Sequence, residues 1–318
     1  RLWPRAGLRG DPSVTLFGAL QRLKLRSFAA WPVYHPRMPQ KRNGRRGATH
    51  SVEGTDPLQK LVDKGFDVRY ESHARAIAGG DFPGALVEIA EVLAAVELPI
   101  SEIIGSGGGE TRFTQRLRRA LAERGWRKHH FEISKTVDGI PRASTSHEVD
   151  HVKAFDAGVL ACEIEWNNKD PFFDRDLENF KRLHAEGAIS LGILITRGKS
   201  LQDTLWEAVM RFADQRSLHD LAALERSGVV PTPKQRNNIL KRVERRQEPV
   251  AFAQAWADNF VSNKFGQATT HWDKLMTRVE RGVGNPCPLI LLGLPASILV
   301  FDDAKVDPLT DEDLTADE

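Results

Sequence analysis

Cysteine is scarce in this chain. Cys162 and Cys287 are the only two in 318 residues, too few for a disulfide framework, and no CxxC-type spacing accompanies them. A structural zinc module is therefore excluded, a reducing cytoplasm is the expected compartment, and both thiols are expected to pack in the core. Long apolar runs are also missing. The best candidates, such as CPLILLGLPASILVF near the C-terminal end, are interrupted by charge or fall short of the roughly 18 residues that a membrane-spanning helix requires, so no membrane partner is expected. Internal repeats and low-complexity tracts are absent. The one glycine-rich loop, GSGGGE, lacks the GK[ST] ending of a phosphate loop, so neither a nucleotide nor any other organic cofactor is expected.

What is present is an ordinary globular composition, 41% hydrophobic and 28% charged, which excludes collagenous, mucin-like or wholly disordered chains. The length suits one large α/β domain with appendages, or two small domains. Net charge is +2, but that average hides two opposite tails. Residues 1–50 hold 11 Lys and Arg against the single acid Asp11, residues 301–318 hold 8 acids against Lys305, and the middle carries 33 bases and 34 acids. The expected organisation is a basic, disordered extension over 1–50, a folded domain over 51–300 and an acidic, disordered tail over 301–318. The first methionine is Met38, the expected natural start. A secretory signal does not fit, because Arg22, Lys24 and Arg26 break the apolar region it needs. The KRNGRR run reads as a solvated tail or as a contact for phosphate.

Helical spacing appears over residues 56–66 and again over 85–98, where Leu86, Ile89, Ala90 and Leu93 share a stripe. After GSGGGE, Phe113, Leu117 and Leu121 mark a helix that Gly125 should stop. TSHEVDHVK and GVLACEIEW are β-rich runs separated by residues 154–157, the pattern of a hairpin. A helix follows, capped by Asp174, with Leu177, Phe180 and Leu183 inward and Gly187 as its stop. AISLGILIT reads as a strand buried on both faces and LQDTLWEAVMRFADQ as an amphipathic helix. Residues 219–250 suit a loop or short helices, AFAQAWADNFVSNKF another helix, and PLILLGL and ASILVF terminal strands.

The chemistry lies in the hairpin. Strand alternation points Glu163 and Glu165 the same way, and likewise Glu148 and Asp150. If the strands pair around residues 154–157, Asp150 lies across from Glu163 or Glu165. Carboxylates on a strand otherwise rich in Val, Leu and Ile repel one another and lose solvation unless something positive joins them. A hard divalent cation such as Mg²⁺ meets that need, and it is the agent of metal-assisted phosphodiester hydrolysis. The plain alternative is a row of rim acids on an exposed sheet face.

The segment TSHEVDHVKAFDAGVLACEIEWNNKDPFFDRDLENF resembles the active-site core of the PD-(D/E)XK nucleases, specifically type II restriction endonucleases of the BglII/BstYI group. The likeness extends over roughly residues 100–300: the helix GGGETRFTQRLRRALAERGW before the hairpin, EWNNKDPFFDRDL after it, then GILITRG and QATTHWDKL followed by GNPCPLILLGL. It implies an α/β fold of the restriction-endonuclease-like kind, a mixed central sheet flanked by helices. It also implies that Asp150 and Glu163 hold the metal. Glu165 departs from the wider pattern, where Lys is usual, and matches the E-x-E variant of BamHI-type enzymes. Glu cannot supply an ammonium, so Glu165 would orient or deprotonate the attacking water, or help to hold a second cation. Lys169 is a candidate replacement for the missing charge, with a surface Lys as its alternative.

Further candidates follow from the same resemblance. Glu110, heading the glycine-rich helix, is an accessory acid for the metal or a charge complementing the helix dipole. Thr269, Thr270 and His271 offer groups able to address base edges, or they form a threonine-capped turn. His147 and His151 lie on the strand face away from Glu148 and Asp150, so zinc ligation by that pair is not expected. Asp174, Arg175 and Asp176 read as a structural ion network, and Cys162 should face away from the two glutamates. The implied function is a Mg²⁺-dependent endonuclease that cuts double-stranded DNA at a short palindrome as a homodimer, since a two-fold site calls for a two-fold protein. The alternatives are a repair or structure-directed nuclease on the same core, and a DNA-binding protein whose site has decayed.

Overall fold

In a computed structural model the described residues are 56–105 and 110–301. The basic extension with Met38, residues 106–109 of GSGGGE and the acidic tail from 302 lie outside them. The chain opens with α1 (Gln59–Asp63), the edge strand β1 (Asp67–Glu71), α2 (Ala74–Asp81) and α3 (Pro83–Ala94). Pro83 at the first turn of α3 meets the need for a residue without an N–H there. The short β2 (Leu98–Pro99) and α4 (Ile100–Ile104) lead to α5 (Arg112–Glu123), whose N-cap Thr111 accepts the backbone N–H of Thr114. Gly125, at φ 88°, ends that helix as its position predicts.

The centre is the hairpin β4 (Ile140–Phe155) and β5 (Gly158–Glu165), preceded by β3 (Arg127–Val137) and followed by α6 (Phe172–Ala185), β6 (Leu191–Arg197) and α7 (Lys199–Gln215). Short helices α8 (Leu221–Arg226) and α9 (Pro233–Val243) fill the charged stretch, then come α10 (Phe252–Lys264), α11 (Trp272–Glu280), β7 (Leu289–Leu294) and β8 (Leu299–Val300). The main sheet runs β1-β7-β6-β5-β4-β3. Its middle pairs β5–β6 and β6–β7 are parallel and the flanking pairs antiparallel, so the sheet is mixed, as expected. A separate parallel pair joins β2 to β8.

Every residue of β6 and β7 is buried, which explains their unbroken apolar runs: both faces of these strands are covered. On one face α6 and α11 pack Phe173, Leu177, Phe180, Leu275 and Val279 against Ala161, Leu194 and Leu291. On the other, residues of α3, α5, α7 and α10 meet Leu160, Cys162, Ile193, Ile195 and Leu292. Gly192 shows how close the α6 layer lies, because a Cβ there would sit 2.6 Å from the Phe180 ring.

Three strands go beyond the sequence reading, one of them the two-residue β2, which begins at Leu98 although the helical spacing runs over 85–98; α3 ends at Ala94. Residues 67–71 form β1, although 56–66 shows only helical spacing, and β3 pairs with β4 to make a ribbon longer than β5. The ribbon turns at Asp138 and Gly139, both with positive φ, and its tip leaves Val137 and Ile140 exposed.

Behind the hairpin a buried arginine fastens two loops together. Arg197 is 0% exposed; its guanidinium donates to Asn167 Oδ1 at 3.0 Å, Thr269 Oγ1 at 2.7 Å and the Thr270 carbonyl at 2.6 Å. Its carbon lies 4.8 Å from the Phe265 ring centre and 5.9 Å from that of Trp166. Backbone bonds complete the join, from Thr270 to the Asn168 carbonyl and from Asp170 to that of Ala268. His271 is enclosed beside this clamp, with both ring nitrogens buried and without hydrogen-bond partners.

Gly192→Ala is expected to destabilise the fold by about 1–3 kcal/mol through overpacking, with part of the loss recovered in the Gly192→Ala, Phe180→Leu double variant; denaturant melts measure both. Burial, reinforced by Arg197, lowers the His271 pKa. The unfolded chain then takes up a proton before the folded one as pH falls below the ordinary histidine value of about 6.5. Wild type should therefore lose stability relative to His271→Asn as pH drops below about 6.5, and equal stability differences at neutral and acidic pH would refute this.

Candidate active site

Registers along β5 set the acids. Glu163 pairs with Leu194 and Glu165 with Thr196 of β6, while His151 of β4 pairs with Cys162. The β4–β5 pairing ends at His151, and the charge of Asp150, one residue earlier in β4, acts on Glu163. Alternation sends Glu163 and Glu165 to one face, with Ala161 on the α6 side, and Cys162 to the other. Cys162 is fully buried, and burial raises its pKa well above the thiol range, so it is packed away and inert, as the sequence suggested. Glu148, on Asp150's face, is held by Lys128 at 3.3 Å.

Glu163 and Glu165 are only 7% and 3% exposed, whereas Asp150 is exposed. Burial, and then the negative charges of Asp150 and Asp176, push the Glu163 pKa well above the carboxylate range. Glu165 rises to about 8, first by burial and next by the carboxyl of Asp176 beside it; the Asn168 amide and the Arg175 guanidinium pull the other way. The Asn168 amide donates to Glu165 Oε2 at 2.7 Å, and Arg175 Nη2 lies 3.3 Å from Oε1.

Asp176 joins this cluster from α6. It is 1% exposed; Oδ1 accepts from Arg175 Nε at 2.7 Å, and Oδ2 is buried with no hydrogen-bond partner. The expected network of Asp174, Arg175 and Asp176 is thus divided. Asp174 turns to Arg278, which also holds Asp170, while Arg175 and Asp176 turn to the acids of β5. The signal was legible in the spacing, because Asp176 falls between Phe173 and Phe180 on the apolar stripe of its helix, where an acid requires a reason.

Around Asp150 opens a cleft of about 1080 Å³. Glu110, Asp150, Trp166, Asn167, Asn168 and Lys264 line it, with Arg112, Arg118, Arg127 and Lys128 on its walls. Glu110 therefore shares a cleft with Asp150, and it is paired with Arg118 at 3.1 Å. Lys169 is exposed, with its backbone bridged to Thr269; the positive charge acting on Glu163 and Glu165 is that of Arg175.

Thr270 and His271 are buried, and the Thr269 hydroxyl is engaged by Arg197 and by the Gly266 carbonyl. Their burial keeps Thr270 and His271 from a base edge, and the segment serves to pin residues 167–170 beside the cleft. His151 is buried, with Nδ1 3.3 Å from the Cys162 carbonyl, on the strand face away from the glutamates.

Among the described residues no group of three or more His, Cys, Asp or Glu side chains is close enough to grip a metal ion. The donor chemistry nevertheless fits a hard cation. Asp150 and Glu163 offer carboxyls close enough for their charges to interact, Asp176 brings a buried oxygen that accepts no hydrogen bond among the described residues, and Arg175 contacts only Glu165 and Asp176.

A family model described as restriction endonuclease BglII/BglIII matches residues 66–294, more than half of the chain, from the residue before β1 to the last of β7. No curated protein matches the chain. Restriction endonucleases generally use divalent metal ions, and the mixed sheet with helices on both faces is of their kind. Of the three acids only Asp150 lines the cleft, while Glu163 and Glu165 lie buried behind it; the order of the elements and the extent of the match show that the chain is a member of the BglII family of restriction endonucleases, nucleases that act on DNA.

Proposed function

We propose that this site-specific endonuclease hydrolyses phosphodiester bonds of double-stranded DNA at a short palindrome, uses Mg²⁺, works as a homodimer, and forms part of a restriction-modification system. The observation that carries the reading is one buried strand presenting Glu163 and Glu165 on one face, with Asp150 near enough to act on Glu163 and itself lining an open cleft. The nuclease domain is taken as residues 51–300. Cytoplasmic action is supported by two unpaired, buried cysteines.

Asp150 and Glu163 would hold the magnesium ion, with Glu110 as the accessory acid of the same cleft. When bound, Mg²⁺ neutralises charge on the scissile phosphate and lowers the pKa of a water. Glu165, oriented by the Asn168 amide, accepts the proton of the attacking water, and the products carry 5′-phosphate and 3′-hydroxyl ends. Arg112, Arg127, Lys128 and Lys264 give the cleft the positive charge that a DNA backbone requires. Trp166, 6% exposed, lines the cleft and packs against Phe113. Two-fold symmetry of a palindrome pairs one protomer with each strand.

Asp150→Asn and Glu163→Gln are each expected to lower cleavage by on the order of a hundredfold or more while gel shifts with DNA persist; retained cutting in both would refute the assignment. Digestion of genomic DNA with Mg²⁺, followed by sequencing of the ends, should return one recurring palindrome. Ends scattered without a common sequence, or cutting that survives chelation of divalent ions, would contradict the proposal.

A further inference from the structure

Four carboxyls gather near the end of β5, and Arg175 is the cation that contacts two of them, Glu165 and Asp176. Glu163, Glu165 and Asp176 are nearly enclosed. Several negative charges cannot share such a place without a partner, since desolvation and mutual repulsion act together. The guanidinium spans two of these acids, with Nε 2.7 Å from Asp176 Oδ1 and Nη2 3.3 Å from Glu165 Oε1. The reach is one-sided. Arg175 enters from the first turns of α6, lies 4.5 Å from the centre of the Phe172 ring, and keeps 54% of its side chain in solvent. It therefore stands between buried acids and water, as an exchangeable charge would. Asp176 Oδ2 accepts no hydrogen bond among the described residues, so the guanidinium answers only part of the negative charge that it faces.

We propose that Arg175 is the internal counter-ion of the acid cluster: it holds Glu165 and Asp176 in place while no metal ion is bound, and a divalent cation entering beside Glu163 competes with it for the same negative charge. This rests on the reading of Asp150 and Glu163 as metal ligands. Arg175 is a positioning residue, and its role differs from that of a plain surface ion pair in one measurable way. Removal of an ordinary structural arginine lowers stability equally with and without metal. Removal of a competing cation lowers the stability of the metal-free protein and strengthens its hold on metal.

The test uses the full chain without DNA. Calorimetric titration with MnCl₂ and with MgCl₂, together with thermal melts in the presence and absence of each, compares wild type with Arg175→Ala and Arg175→Lys. Lys181→Ala serves as a control, because it removes an exposed pair with Glu178 on the same helix. Arg175→Ala is expected to melt lower than wild type without metal, to bind the ion on the order of fivefold more tightly, and to gain more in Tm when metal is added. Arg175→Lys should fall between the two and Lys181→Ala should match wild type. Metal affinity unchanged or weakened in Arg175→Ala, with wild type binding normally, overturns the inference and leaves the metal reading intact. If Arg175→Ala does not fold even with metal, Arg175→Lys decides, and an affinity equal to that of wild type overturns the proposal. Failure of wild type itself to bind either ion overturns the metal reading, and this inference with it.

Discussion

Carboxylates held in a nearly dry strand end are the constraint on which this molecule depends. Glu163 and Glu165 occupy positions that parallel pairing with β6 and the cover of α6 would otherwise give to apolar side chains. A protein interior tolerates such charge only when a proton, a positive side chain or a cation answers it. Here Arg175 answers in part, while burial first, and then neighbouring acids, push both glutamates above the usual carboxylate range. A surface presenting the same acids to bulk water would attract a cation far less strongly, so burial is what would suit this strand end to the proposed divalent cation.

The rest of the fold keeps that strand end rigid and open on one side. Strands β6 and β7, buried throughout, fix the position of β5 from within the sheet. Arg197 then fastens the residues that leave β5 to the loop before α11, using Asn167, Thr269 and the Thr270 carbonyl. Thr196 adds a hydroxyl bond to the Glu165 carbonyl at 2.8 Å. The cleft wall formed by Asn167 and Asn168 is thus tied at several points, as a site must be if its groups are to meet a substrate without first being ordered.

Much of this was legible in the chain, for identifiable reasons. The hairpin, the helix after it and the doubly buried strands carry strong patterns, because period-two runs, apolar stripes and glycine stops reflect burial directly. β1 was not legible: all five of its residues are half-buried, so no alternation marks it. β3 escaped because its outer half pairs only with β4 and leaves both faces in solvent, although the Asp138-Gly139 turn signal was there to be read. Within the site, residue type and spacing pointed to Asp150, Glu163 and Glu165, and the structure brings the charges of these three acids close together. Thr270 and His271 were misjudged from chemistry alone. A hydroxyl and an imidazole suit DNA, yet here they are enclosed next to a buried arginine, a contact made across seventy residues of chain that local pattern does not encode. Asp176 was passed over for the opposite reason, since an acid with a neighbouring arginine looks complete in sequence while its partner at Glu165 lies on another element.

The central claim, that the acids of this strand end hold a divalent cation, is tested most directly by an anomalous-scattering map of crystals soaked in manganese. The account requires a peak contacted by carboxyl oxygens of both Asp150 and Glu163. A peak bound elsewhere, or well-ordered manganese that touches neither side chain, would contradict it.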